Sequence, residues 1–216
     1  MTVAQPGNQE LMPVWGTYFN NTAKFIHPSR LSECLGGVLL PEGIEYLRNA
    51  QRIGHNTRRL IRDHFALPAL PDEAALDARD LQLVLMPAED IPGFELRCGA
   101  MFLANSLAQI IQSAAVHKLR DTLGQDVYML ALASRHLAVS GEPIADPEAL
   151  LAAMHKDGQA CLSNWRESMP ASINEWFRLK YPSNQEIRPA HRGDNGLHAI
   201  SIVRHPSNPV TDMAAA

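Results

Sequence analysis

A mainly α-helical fold is what this 216-residue chain predicts, and three observations predict it. Apolar residues between 95 and 124 recur every three to four positions, which is the spacing of one buried helix face. Asp146-Pro147-Glu148 combines a capping carboxylate, a first-turn proline and a second acid at the positive end of a helix dipole. In the C-terminal part, only residues 197–203 (LHAISIV) have strand-like composition. The architecture expected is a single compact helical domain with a proline-rich acidic connection and an extended C-terminal appendage.

In chain order, residues 1–14 read as a polar leader without the basic start and apolar run of a signal peptide. The helical domain is expected over 15–182. Its first segment holds Trp15, Tyr18, Phe19 and Phe25, read as rings that pin the segment onto the helical body, with a binding surface as the sharper alternative. A short helix over 29–35 should end at Gly36-Gly37. Residues 41–65 form the next helical candidate, with Pro41 in its first turn and an interruption near Gly54 and Asn56. Arg48, Arg52, Arg58, Arg59 and Arg62 give that stretch a basic outer face, either a solvated helix surface or a docking surface for an acidic partner.

Residues 66–94 change character. Four prolines punctuate them, and Asp72, Glu73, Asp77, Asp80, Glu89 and Asp90 make them acidic. The segment fits either a surface connection with a short helix over 72–80 or an acidic docking segment. Within it, LQLVLM (81–86) reads as a buried connection that periodicity leaves between strand and helix. Residues 95–124 then predict one helix of about 28 residues, about 42 Å long, flanked by small residues that admit close neighbours and closed by Gly124 at the C-cap. Helical patterning resumes over 125–139, breaks at SGEP, restarts at Asp146, and restarts again after Pro170. Residues 183–216 read as a polar tail, either one edge strand over 197–203 or mostly extended.

Composition bounds the function. An apolar fraction of 46% with 19% charged residues supports a sizeable core, and a net charge of −4 argues against general attraction to nucleic acid or anionic membrane. Three widely spaced cysteines lack disulfide or zinc spacing, which favours a reducing cytoplasm. No GxSxG, P-loop, GxGxxG or HExxH occurs, so no catalytic, cofactor or metal residues are expected. His191, Asp194 and His198 are the nearest approach to a metal cluster, and His117 and His136 read as structural histidines. Cys161 falls on a buried helix face, unlike a reactive thiolate. This is the profile of a binding component.

Several segments carry a resemblance: KFIHPSRL (24–31), HNTRRLIRDHFAL (55–67), LRCGAMFLANSLAQII (96–111), LRDTLGQDVYMLAL (119–132) and NWRESMPASINEWFRLKYP (164–182). Their order and spacing resemble the SctK family (YscK- and PscK-like proteins) of bacterial type III secretion systems. The similarity covers about residues 18–182 and leaves the tail outside. It implies a cytosolic adaptor of the sorting platform, at the inner-membrane face of the apparatus. Such a protein bridges an SctD-like inner-membrane ring protein and an SctQ-like pod protein, without enzymatic activity or cofactor. The partner-binding residues expected are Arg58, Arg59 and Arg62 on the basic face, or Asp72, Glu73 and Asp77 in the acidic segment. A chaperone-like or regulatory binding protein is the alternative, and a small helical enzyme or ligand-binding protein a third.

Overall fold

The computed structural model describes Gly16, Tyr18 and residues 21–70, 76–185 and 189–208. The leader over 1–14, Trp15, Phe19, Asp72, Glu73 and the last eight residues of the tail lie outside these described residues. Among those described there are eleven α-helices and no strand. The helices are α1 (Pro28–Cys34), α2 (Pro41–Asn49), α3 (Gly54–His64), α4 (Ala78–Leu85), α5 (Ile91–Phe102), α6 (Ala104–Gln109), α7 (Ser113–Leu123), α8 (Gln125–Ala133), α9 (Pro147–Ser168), α10 (Ala171–Arg178) and α11 (Asp194–Arg204). The mainly helical class is therefore as the sequence predicts. The chain divides into two compact units, one holding α1–α4 and α10, the other Pro92 onward through α9 together with α11.

In the first unit the local signals work as expected. Pro41 opens α2, and Gly36 and Gly37 take the left-handed backbone after α1 (φ 69° and 70°). The interruption between α2 and α3 is a 3-10 turn at Gln51–Ile53, just ahead of Gly54. Ala23, Ile26, Leu31, Ile44, Ile61, Trp176 and Leu179 close one core. Tyr18 and Phe25 are buried with ring centroids 4.9 Å apart, as anchoring rings should be. Arg48 departs from the expected basic outer face. It is buried, pairs with Glu45 (3.0 Å) and Glu89 (3.2 Å), and donates to the Lys24 carbonyl (2.9 Å).

The run LQLVLM is helical through Leu85, with Leu81, Leu83, Val84, Leu85 and Met86 all buried. Lys180 is buried alongside. Its ammonium donates to the Met86 carbonyl and lies 5.4–5.8 Å from the ring centres of Tyr18, Phe25 and Phe177. Burial pushes this amine down to about 7, while the carboxylates of Glu89 and Asp90 act in the opposite direction.

The second unit turns on one crossing. A Cβ added to Gly99 on α5 would lie 1.8 Å from the Met154 carbonyl oxygen, and one added to Gly158 on α9 would lie 1.9 Å from that of Glu95. Two glycines let two backbones meet, the close approach that the small residues of this stretch predicted. Ala100, Leu107, Leu119, Leu123, Tyr128, Leu150 and Met154 pack into one cluster in this unit. Asp146 caps α9 by accepting from the Ala149 amide (2.8 Å), and Gly124 ends α7 with φ 84°.

Two expectations are corrected here. The single helix over 95–124 is three helices, α5, α6 and α7, broken by a turn at Leu103 and by extended backbone at Ile110 and Gln112. A straight rod of about 42 Å is long for a unit of about 100 residues, whose radius of gyration is near 13 Å. Folding back lets Ala100, Leu107 and Leu119 share one core.

The edge strand considered over 197–203 is instead part of α11. Gly196, Ala199, Ile202 and Val203 are its buried residues, a helical stripe that packs along α9. Asn164 on α9 clips the preceding backbone, donating to the His191 carbonyl (2.9 Å) and accepting from its amide (2.7 Å). Burial along α9 overrides local β-branched composition.

Candidate docking site

Residues 55, 58, 59 and 62 follow the i, i+3, i+4, i+7 pattern, so His55, Arg58, Arg59 and Arg62 share one face of α3. Gly54, Thr57 and Ile61 are its buried positions. The helix ends in a tight reversal. Ala66 adopts a left-handed conformation (φ 51°), and the Leu67 amide donates to the Arg62 carbonyl (2.9 Å), the Schellman arrangement with alanine where glycine is usual. The chain then runs through Pro68, whose carbonyl accepts from the Trp176 indole (2.8 Å). His55, the three arginines, Ala69, Leu70 and Trp176 together line a pocket of about 150 Å³.

Ala66 is strained there, since a left-handed alanine costs about 1–2 kcal/mol relative to its right-handed form. Ala66→Gly is expected to raise stability by about 0.5–1 kcal/mol, read as a higher urea midpoint with unchanged slope. A lower midpoint would show that this turn stores no strain.

The pocket is electrostatically one-sided. Among the described residues, no carboxylate lines it. Arg62 pairs with Asp63 (3.0 Å) in a largely exposed contact worth little. Arg59 is exposed and makes no ion pair among the described residues. Arg58 is half-buried, and its guanidinium is pushed down first by burial and then by the neighbouring positive charge of Arg62. The arrangement suits an incoming anion with an apolar part.

The three arginines expected from sequence thus come together, joined by Trp176 and Leu70, which sequence reasoning did not connect to them. Of the acidic candidates, Asp77 caps α4 by accepting from the Asp80 amide (2.7 Å). Glu89 is engaged with Arg48.

A second feature was missed outright. Val38, Leu40 and Tyr46 are 82%, 73% and 74% exposed, and their chain neighbours Leu39, Pro41 and Glu45 help to line a groove of about 530 Å³ along α1 and α2. The available signal was the apolar run VLLP directly after two glycines.

The residues first considered for chemistry are otherwise employed. The His191 ring stacks on Phe102 (4.5 Å, 9°), with Nε2 3.9 Å from Asp157. Asp194 and His198 are exposed on α11, and His117 and His136 are exposed as well. Among the described residues no group of three His, Cys, Asp or Glu side chains converges as metal ligands would. Cys161 is buried, and its thiol is pushed well above the ordinary range, chiefly by that burial. No helix among the described residues is long and apolar enough to cross a membrane.

Comparison with known proteins gives one kind of match. The chain is 30% identical over 113 residues to the nodulation protein NolU of Rhizobium fredii, and equally to NolU of Sinorhizobium fredii (strain NBRC 101917 / NGR234). The aligned part is 50% of this chain and 52% of each relative, so the chain spans about half the length of the curated relatives it matches. No family model matches, and no solved structure matches.

Proposed function

We propose that the protein is a non-enzymatic adaptor of a bacterial type III secretion system. It acts in the cytoplasm at the inner-membrane face of the apparatus, between an SctD-like ring protein and an SctQ-like pod protein. The observation that carries this reading is the 30% identity over half the chain to the nodulation protein NolU, read together with the SctK-like segments. The SctK-like segments add the sorting-platform role and the choice of partners. Two separate exposed features of the first unit, the basic pocket and the apolar groove, are what an adaptor would present to partners.

Affinity capture of the tagged chain from its native cells tests the reading. Ring and pod proteins should be recovered together. Recovery of secreted substrates in their place would favour the chaperone-like alternative, and recovery of neither class would overturn the proposal. Reversing charge with Arg58→Glu and Arg59→Glu should reduce recovery of one partner severalfold while far-UV circular dichroism stays unchanged. Equal recovery would remove the basic face from the docking surface.

A further inference from the structure

Resting on the reading that this protein docks other proteins, the basic pocket also indicates the chemistry of what docks there. We propose that it receives a short acidic peptide segment of a partner protein, one apolar side chain packing on Leu70 beside the wall formed by Trp176 while flanking carboxylates pair with Arg58, Arg59 and Arg62.

Size is the first argument. A cavity of about 150 Å³ holds a benzene-sized group, whereas small-molecule sites run about 300–1,000 Å³. One side chain fits, and a nucleotide does not.

Charge is the second. A chain of net charge −4 gathers four basic side chains, with His55 the fourth, around one opening that no carboxylate lines among the described residues. Arginine forks bind carboxylates in two-point geometry, and a partly desolvated setting strengthens such pairs. Arg58 is half-buried beside Arg62, so a bound anion would relieve an existing like-charge repulsion.

The apolar floor is the third. A bare phosphate would satisfy the arginines and leave the half-buried Leu70 without a packing partner. Nucleic acid fits less well: Trp176 is 3% exposed with its N–H held by Pro68, so no ring face is open for a base to stack on.

The test titrates the full chain with three probes and follows the Trp176 indole N–H by NMR. The probes are a capped hexapeptide of glutamates around a central leucine, the same peptide with glutamine for glutamate, and inorganic phosphate. The acidic peptide should shift the indole signal with a Kd at least tenfold below those of the glutamine peptide and phosphate. Arg58→Glu with Arg59→Glu should abolish the shift. Arg59→Gln, at an exposed position that leaves the fold untouched, should weaken binding severalfold.

Equal binding of the glutamine peptide, phosphate binding as tight as the acidic peptide, or an acidic peptide that binds the reversed variant equally well would each overturn the inference. The adaptor reading fails separately. If wild-type chain captures neither ring nor pod protein yet binds the acidic peptide, that reading falls and the pocket stands. If capture succeeds and the peptide does not bind, the pocket falls alone.

Discussion

Gly158→Ala is expected to cost about 3 kcal/mol or more and to leave the second unit unfolded or expanded. The reason is geometric. The new methyl carbon would sit 1.9 Å from the Glu95 carbonyl oxygen and 2.7 Å from its carbon, and both belong to backbone inside a helix. A flexible side chain could swing away, but a helix backbone cannot. Either α5 and α9 separate, which opens the packing of Ala100 and Met154, or the helices distort. Gly99→Ala carries the reciprocal clash with Met154 and should behave alike. Gly141→Ala is the control, because nothing lies within 4 Å of its added carbon. Equilibrium urea unfolding measures all three. A Gly158 variant within 1 kcal/mol of wild type would mean that the two helices do not meet backbone to backbone.

Stability should rise by about 2 kcal/mol between pH 7 and pH 8.5, and Lys180→Met should remove that rise. An unfolded lysine holds its proton to about 10.5, whereas the buried one releases it near 7. Across that interval the unfolded chain carries one proton more, so stability climbs with pH at up to about 1.4 kcal/mol per unit. Neighbouring titrations set the limits of the window. His27, pushed down mainly by burial and further by Arg48 and Arg30, acts below its ordinary 6.5. Cys161 and Tyr18 are pushed up by burial, so their contributions are lost as pH rises past their ordinary values of 9.0 and 10.0. Between 7 and 8.5 the slope therefore belongs chiefly to Lys180. Thermal melts at a series of pH values, in wild type and in Lys180→Met, provide the measurement. A flat wild-type profile would show that the ammonium is held charged by Glu89, Asp90 and the three rings.

Neither effect has a signature in the local sequence. Gly158 sits inside α9 and looks like an ordinary helix-weakening glycine, and its value appears only when Glu95 is found against it, 63 positions earlier in the chain. Lys180 reads as a solvated charge at the end of a helix. The pocket on α3 divides the same way. Its arginine face was legible, because side chains at i, i+3, i+4 and i+7 must share a side of any helix. Its floor was not, because Trp176 reaches Pro68 across 108 positions.

Wherever the cause lies within one turn of chain, the residues alone decided the outcome. Pro41 starts α2, Asp146 caps α9, Gly36 and Gly37 end α1, and Gly124 ends α7, because proline's ring, a carboxylate within reach of free amides and a missing Cβ act locally. Packing decided the rest. It broke the apolar stripe over 95–124 into three helices, and it made a helix of LHAISIV by offering α9 as the surface to cover. Apolar burial is non-directional. A stripe of Leu, Ile and Ala says that some face will be covered, and only the assembled chain shows by what.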